Sequence, residues 1–255
     1  MRKIALVTGA TSGIGYATAL TLSQNGYDII ACGRRAERLD QLAKAIDESA
    51  DILPLVFDVS DREAVFKSIE GLPDRWRPID VLVNNAGNAH GLSPIQDGSV
   101  DDWEQMIDIN VKGLLYVSKA VIPQMVNRRS GHIINIGSIA GKEVYPNGNV
   151  YCASKHAVDA INKGMKQDLN PCGVKVTAIN PGLVETEFSE VRFKGDKDRA
   201  KTVYQGYQAL QATDIAETIL FVVTRPAHVN LLDITIFPTA QGSATMVEKN
   251  LKSGN

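Results

Sequence analysis

Cysteine is scarce: Cys32, Cys152 and Cys172 are the only three in 255 residues. The number is odd and no two stand at metal-ligand spacing, so neither a disulfide framework nor a thiolate metal site is expected, and a reducing cytoplasm fits. The four histidines, His90, His132, His156 and His228, are scattered without a paired ligand, so no metal is expected. No apolar run reaches the ~20 residues that span a bilayer. Arg2 and Lys3 before an apolar stretch imitate the start of a signal peptide, but Thr8-Gly9 closes that stretch at once and it reads as a first strand. Charge of one sign is lacking too: 27 basic and 29 acidic residues leave a net charge of -2. No global field therefore recruits nucleic acid or an anionic membrane. Repeats, low-complexity tracts and linkers are missing, which predicts one domain over 1–255.

What is present is a repeated order of strand and helix. Short Val-, Ile- and Leu-rich runs at 3–8, 27–33, 52–57, 80–84, 131–137, 173–179 and 233–237 do not alternate with polar residues, as expected for strands buried on both faces. Helical patterns lie between them near 13–25, 36–48, 61–70, 101–128, 150–169 and 213–224, Asp61 capping the third. Pro123 should kink or end the long fourth stretch. This order predicts an α/β protein: a Rossmann-type, doubly wound, seven-stranded, mostly parallel sheet flanked by helices. The polar segment 186–212, with Gly195 and Gly206, reads as a mobile substrate loop containing short helices.

Several motifs fall at the C-terminal ends of these strands, where an open α/β sheet binds ligand. Gly9, Thr11, Ser12, Gly13, Ile14 and Gly15 form a G-x-x-x-G-x-G turn between the first strand and helix. Such a turn lets a pyrophosphate approach the backbone at a helix N-terminus, although a plain glycine-rich turn has the same composition. After the second strand, an acid would bond the ribose 2′-hydroxyl of NAD; Arg34 and Arg35 stand there instead and suit the 2′-phosphate of NADP. Asp58 and Val59 follow the third strand, Asp58 suited to the adenine amino group. Asn84, Asn85, Ala86 and Gly87 follow the fourth; either asparagine alone can equally satisfy buried backbone.

Tyr151 and Lys155 stand four apart and share a helix face. A tyrosine with pKa ~10 is a poor base near neutrality, and an adjacent ammonium lowers it, so the pair fits general acid–base work. Taken alone the spacing describes an ordinary helix face. Ser138, just past the fifth strand, adds a hydroxyl suited to a substrate oxygen. Asn110 lies inside a helix, a poor place for asparagine unless its side chain has a task, such as holding a water that links Lys155 to solvent.

In this order and spacing the residues resemble the short-chain dehydrogenase/reductase family over essentially the whole chain. The resemblance implies Asn110, Ser138, Tyr151 and Lys155 as catalytic tetrad, with Lys155 also on the nicotinamide ribose. It implies that Pro181, Gly182, Val184 and Thr186 hold the carboxamide end. The segments Glu187-Phe188-Ser189, Val191 to Asp196, Gly131 to Ser138 and Pro226 to Asn230 more narrowly resemble the NADP-dependent serine/3-hydroxy acid dehydrogenases. That resemblance implies oxidation of the 3-hydroxyl of L-serine, L-allo-threonine and 3-hydroxypropionate-like acids, reduction of the matching semialdehydes, and a homotetramer. A substrate carboxylate then needs a cation beyond Lys155, and Arg192 in the substrate loop is the candidate, Lys194 the second. Reduction of 3-oxoacyl thioesters or other carbonyls, and a non-catalytic NADP sensor, are the competing functions.

Overall fold

The apolar runs are continuous because the sheet they build is covered on both sides. In β1 (Lys3–Thr8), Ile4 and Leu6 face one helical layer while Ala5 and Val7 face the other. The computed structural model describes residues 2–46 and 48–249. The expected domain and the end of the expected helix 36–48 thus run at residues 1, 47 and 250–255 outside the described residues.

Seven strands form one sheet in the order β3-β2-β1-β4-β5-β6-β9, every neighbouring pair parallel. They are β1, β2 (Tyr27–Gly33), β3 (Ile52–Val56), β4 (Ile79–Asn84), β5 (His132–Ile136), β6 (Lys175–Pro181) and β9 (Asp233–Ile236). Strand β6 begins and ends two residues later than the sequence pattern predicts. At the edge strand β3, Pro54 costs no interior ladder bond. A second, two-stranded sheet pairs β7 (Val184–Glu185) with β8 (Leu210–Gln211).

Helices α1 (Gly13–Gln24), α2 (Ala36–Ala45) and α9 (Ala212–Val223) cover one face through Leu22, Leu39, Leu42, Ile215 and Ile219. On the other face lie α3 (Arg62–Glu70), α5 (Leu114–Arg128) and α6 (Asn149–Leu169), packed through Val65, Ile69, Val117, Val121, Met125 and Leu169. Asp61 caps α3 by accepting from the Ala64 N–H at 3.0 Å.

The stretch expected as one helix over 101–128 is three segments: α4 (Val100–Ile107), a π-helical turn at Asp108–Gly113, and α5. Pro123 does not end α5. Pro123 and Lys119, whose carbonyl loses its partner, both sit on the solvent face, where the freed acceptor costs little. The segment 186–212 carries α7 (Phe188–Arg192), α8 (Lys197–Thr202) and β8.

Candidate active site

The strand order reverses direction between β1 and β4, and the crevice opens at their C-terminal ends. Thr8, the last residue of β1, holds the two sides together: its Oγ1 accepts from the N–H groups of Asn85 and Ala86, both at 3.0 Å. A cavity of about 500 Å³ runs along this edge, within the usual size of small-molecule sites.

One end of the cavity suits a dinucleotide. Gly9 and Gly13 hold φ of 66° and 53°, left-handed values that bend β1 into α1 and bare the first N–H groups of that helix. Arg35 donates from Nη2 to Thr11 Oγ1 and Ser12 Oγ, both at 3.0 Å, which lays its guanidinium over the glycine turn. Arg34 Nη1 pairs with Asp58 Oδ2 at 3.2 Å. Burial pushes the Asp58 carboxyl up, but hydrogen bonds from Ser60 and the Arg34 charge outweigh it and hold the carboxyl below its ordinary value. Two guanidinium groups beside a helix N-terminus, with the nearby acid already engaged, fit a cofactor bearing an extra phosphate.

The reacting groups line the middle and far end. On α6, Tyr151, Lys155, Val158 and Asn162 form the buried face, so the phenol and the ammonium enter the crevice from one helix. Ser138 caps the short turn after β5, accepting from the Ala140 N–H at 3.1 Å. Burial pushes the Tyr151 phenol well up, as does the facing phenol of Tyr145; Arg192 and a hydrogen bond with Ser138 pull the other way. Burial also lowers the Lys155 ammonium to about 8, and its Nζ donates to the Ile136 carbonyl at 3.0 Å. Arg192 thus places beside Tyr151 a positive charge beyond the Lys155 charge expected from the i, i+4 spacing. Lys155 is itself desolvated and turned toward β5.

Asn110 sits in the π-helical turn, 2% exposed. Its Oδ1 accepts from the Asn88 N–H and its Nδ2 donates to the Asn88 carbonyl, both at 2.8 Å, and also to Ser154 Oγ at 3.0 Å. These bonds pin the chain after β4 beside Lys155 and leave the second lone pair of Oδ1 for the water expected there. Asn85 is likewise engaged, donating to the Thr8 carbonyl at 2.9 Å. Gly15 does not line the cavity: a Cβ there would lie 2.3 Å from the Gly9 carbonyl oxygen, so its task is to let α1 close onto the turn. The other residues expected at the site, Gly9, Thr11 to Ile14, Arg34, Arg35, Asp58, Val59, Ala86, Gly87, Ser138, Tyr151, Lys155, Pro181, Gly182, Val184, Thr186 and Arg192, all line the one cavity.

Arg192 reaches in from α7. Its guanidinium carbon lies 4.9 Å from the Tyr151 ring centroid and 5.6 Å from that of Tyr145, and it hydrogen-bonds the Tyr145 hydroxyl. Lys194 instead pairs with Asp102 at 3.0 Å. Tyr145, Phe188, Asn88, His90 and Glu187 complete the walls and were not anticipated from the sequence. Glu187 accepts from Arg38 Nη1 at 2.7 and 2.8 Å and from Arg35 Nη1 at 3.3 Å, tying α7 to α2 across the cavity mouth. No sequence pattern marks a pair separated by 149 positions.

A crevice at the reversal point of a parallel sheet, faced by a serine, a tyrosine and a lysine, is the arrangement of a dinucleotide-dependent oxidoreductase. The chain belongs to the short-chain dehydrogenases, whose family model matches residues 3–197. It is similar to the NADP-dependent 3-hydroxy acid dehydrogenase YdfG of Salmonella typhi, with 49% identity over 242 residues, 94% of this chain and 97% of that protein. Sulfoacetaldehyde reductase 2 of Chromohalobacter salexigens is 42% identical over 252 residues, 98% of this chain and 100% of that protein. Among solved structures, the closed form of serine dehydrogenase complexed with NADP+ is 46% identical with a TM-score of 0.91, the match covering 96% of this chain and 98% of that one. Among the described residues no helix is long and apolar enough to cross a membrane.

Proposed function

We propose that the chain oxidises the 3-hydroxyl of small hydroxy acids with NADP, the expected substrates being L-serine, L-allo-threonine and 3-hydroxypropionate, and reduces the matching semialdehydes. The observation that carries this reading is the state of Arg192. Its Nε is buried without a partner, and among the described residues it meets aromatic rings and a phenol hydroxyl but no carboxylate. A half-buried guanidinium left without an anion carries a desolvation cost that a bound carboxylate offsets through charge-assisted hydrogen bonds. The names of the 3-hydroxy acid and serine dehydrogenase relatives support the same substrate class.

In this reading Ser138 and Tyr151 hold the substrate hydroxyl, and Arg192 fixes the carboxylate. Arg34 and Arg35 would grip the 2′-phosphate of NADP and Pro181 to Thr186 its carboxamide end, and the cofactor so held would supply the hydride acceptor in oxidation and the donor in reduction. Asp58 and Val59 would lie beside its adenine. Tyr151 takes the hydroxyl proton in oxidation and returns it in reduction. Burial keeps its phenol protonated, the form required at the start of reduction; Arg192 and Ser138 favour the phenolate required in oxidation. Lys155, poised near 8, relays the proton outward, and Asn110 positions the Gly87–Asn88 wall beside it. The homotetramer and the cytoplasmic location belong to the same proposal. Exposed Leu115 on α5 and Phe221 on α9 are apolar side chains that such an assembly would cover.

A second reading has one observation in its favour. The sulfoacetaldehyde reductase relative acts, by its name, on an aldehyde bearing a sulfonate, and a guanidinium binds that oxyanion as well as a carboxylate. The test is a substrate panel with NADP(H): L-serine, 3-hydroxypropionate, sulfoacetaldehyde and an uncharged short aldehyde, run on the parent, Tyr151→Phe and Arg192→Ala. Tyr151→Phe should lose roughly 10²–10⁴-fold in turnover on every substrate. Arg192→Ala should lose on the order of 10²-fold in kcat/KM on anionic substrates and far less on the uncharged one. Equal losses on both kinds would remove the carboxylate role. A preference for sulfoacetaldehyde would favour the second reading.

A further inference from the structure

His90 stands in the wall of the substrate end, and nothing in the reaction as described uses it. The residue lines the large cavity together with Ser138, Tyr151 and Arg192, and also a small cleft beside Trp103 and Asn149. The short segment that carries it is pinned at three points. Before it, the Asn88 backbone is clasped on both its N–H and its carbonyl by Asn110, at 2.8 Å each. Just after it, the Gly91 N–H donates to the Arg192 carbonyl at 3.0 Å. Two residues further on, the Ser93 carbonyl accepts from Asn149 Nδ2 at 3.1 Å, at the start of the helix that bears Tyr151. The imidazole is therefore held between the residue that props the lysine and the residue that bears the free guanidinium.

The ring is also fixed in orientation. His90 Nε2 lies 2.8 Å from Asn88 Nδ2. Asn88 is 8% exposed, and its Oδ1 is buried without a partner, so among the described residues the amide makes its one side-chain contact with His90. Among the described residues no hydrogen-bond partner meets the other ring nitrogen, Nδ1. A neutral imidazole can offer that nitrogen as donor or acceptor, according to which way the Asn88 amide faces Nε2.

We propose that His90, oriented by Asn88, is a specificity-determining residue that hydrogen-bonds a polar substituent on C2 of the substrate, the third contact after the reacting hydroxyl and the carboxylate. The preferred substrates are then 3-hydroxy acids bearing a hydroxyl or amino group at C2 rather than unsubstituted ones. This rests on the reading of Arg192 as the carboxylate contact. It extends that reading, because a carboxylate at Arg192 and a hydroxyl between Ser138 and Tyr151 leave the C2 substituent to face the remaining wall. A site built to bond a polar group discriminates by leaving its own polar atoms unpaired when that group is missing.

The experiment compares 2,3-dihydroxypropionate and L-serine with 3-hydroxypropionate on the parent, His90→Leu and His90→Asn, with NADP binding and melting temperature recorded for each. In His90→Leu the ratio of kcat/KM for either C2-substituted acid to that for 3-hydroxypropionate should fall about tenfold, mostly through KM. His90→Asn, which keeps a donor and an acceptor, should recover part of the ratio. An unchanged ratio overturns the inference while leaving the hydroxy acid reading in place. If the parent turns over the uncharged aldehyde but none of the three acids, the hydroxy acid reading fails and takes the inference with it. If His90→Leu no longer folds, Asn88→Leu, which frees the ring without removing it, should lower the same ratio. An unchanged ratio there overturns the proposal.

Discussion

Lys155 shows at the scale of one residue how the site trades stability for chemistry. It is 7% exposed, and burial is what lowers its pKa. Its folded value of about 8 lies below the ~10.4 of an unfolded lysine. Between these two values the unfolded chain binds the proton more often, so stability rises with pH there; below about 8 both states are protonated and the full cost of burying the charge stands. Lys155→Met, similar in length and uncharged, is expected to be more stable than the parent by roughly 1–3 kcal/mol near neutrality. It should also lose the rise in stability between about pH 8 and pH 10.5, and its turnover. Urea unfolding of both proteins at several pH values across that window checks it. A variant less stable than the parent at neutral pH would mean that the Nζ bond to the Ile136 carbonyl outweighs the cost of the charge.

At the scale of elements, the junction of β1 and α1 depends on one missing methyl. A Cβ at Gly15 would stand 2.3 Å from the Gly9 oxygen and 2.4 Å from Asn85 Nδ2, the atom that braces the turn against the chain after β4. Backbone cannot yield there without moving the helix N-terminus that faces the cofactor. Gly15→Ala should cost roughly 1–3 kcal/mol in unfolding, as overpacked sites do, and weaken NADP binding at least about tenfold by fluorescence titration. Parent-like affinity would show that the turn relaxes without moving its N–H groups. The elements themselves could be read from the sequence where burial is two-sided: the inner strands β1, β2, β4 and β5 are apolar runs, whereas edge strand β9 alternates as Asp-Ile-Thr-Ile; the glycine turn and Ser138 follow strand ends, and Tyr151 and Lys155 enter the same edge from the first turns of α6. The π-helical turn at Asp108–Gly113 could not be read. It inserts a residue into the helical phase without changing composition, so 101–128 looked continuous, and the clasp of Asn110 on the Asn88 backbone could not be foreseen. His90 and Glu187 were missed for a different reason. Each becomes part of the site only when a loop folds back across the sheet edge, which depends on contacts distant in the sequence.

Over the whole molecule, the crevice is closed at its mouth by charge and at its far end by aromatic side chains. Arg34 and Arg35 have side chains 67% and 43% exposed, so their hold on a 2′-phosphate is electrostatic and open to screening by salt. Glu187 shares Arg35 with the phosphate position and is kept below its ordinary carboxylate value; burial pushes it up, but the hydrogen bonds and charges of Arg38 and Arg35 prevail. A ligand that binds only the folded chain stabilises it by about 2.7 kcal/mol at a hundredfold excess over its dissociation constant, and in a chain of this size that raises the melting temperature by roughly 5–10 °C. NADP at such a concentration should produce that shift, while NAD at the same concentration produces less. Raising the salt from about 0.05 to about 0.5 M should shrink the NADP shift and leave the NAD shift nearly unchanged, because only the extra phosphate meets the exposed guanidinium groups. Replacing Arg34 and Arg35 together by Ala should make the two cofactors equivalent. Equal shifts in the parent would show that these arginines serve the turn and the Glu187 bridge and take no part in choosing the cofactor.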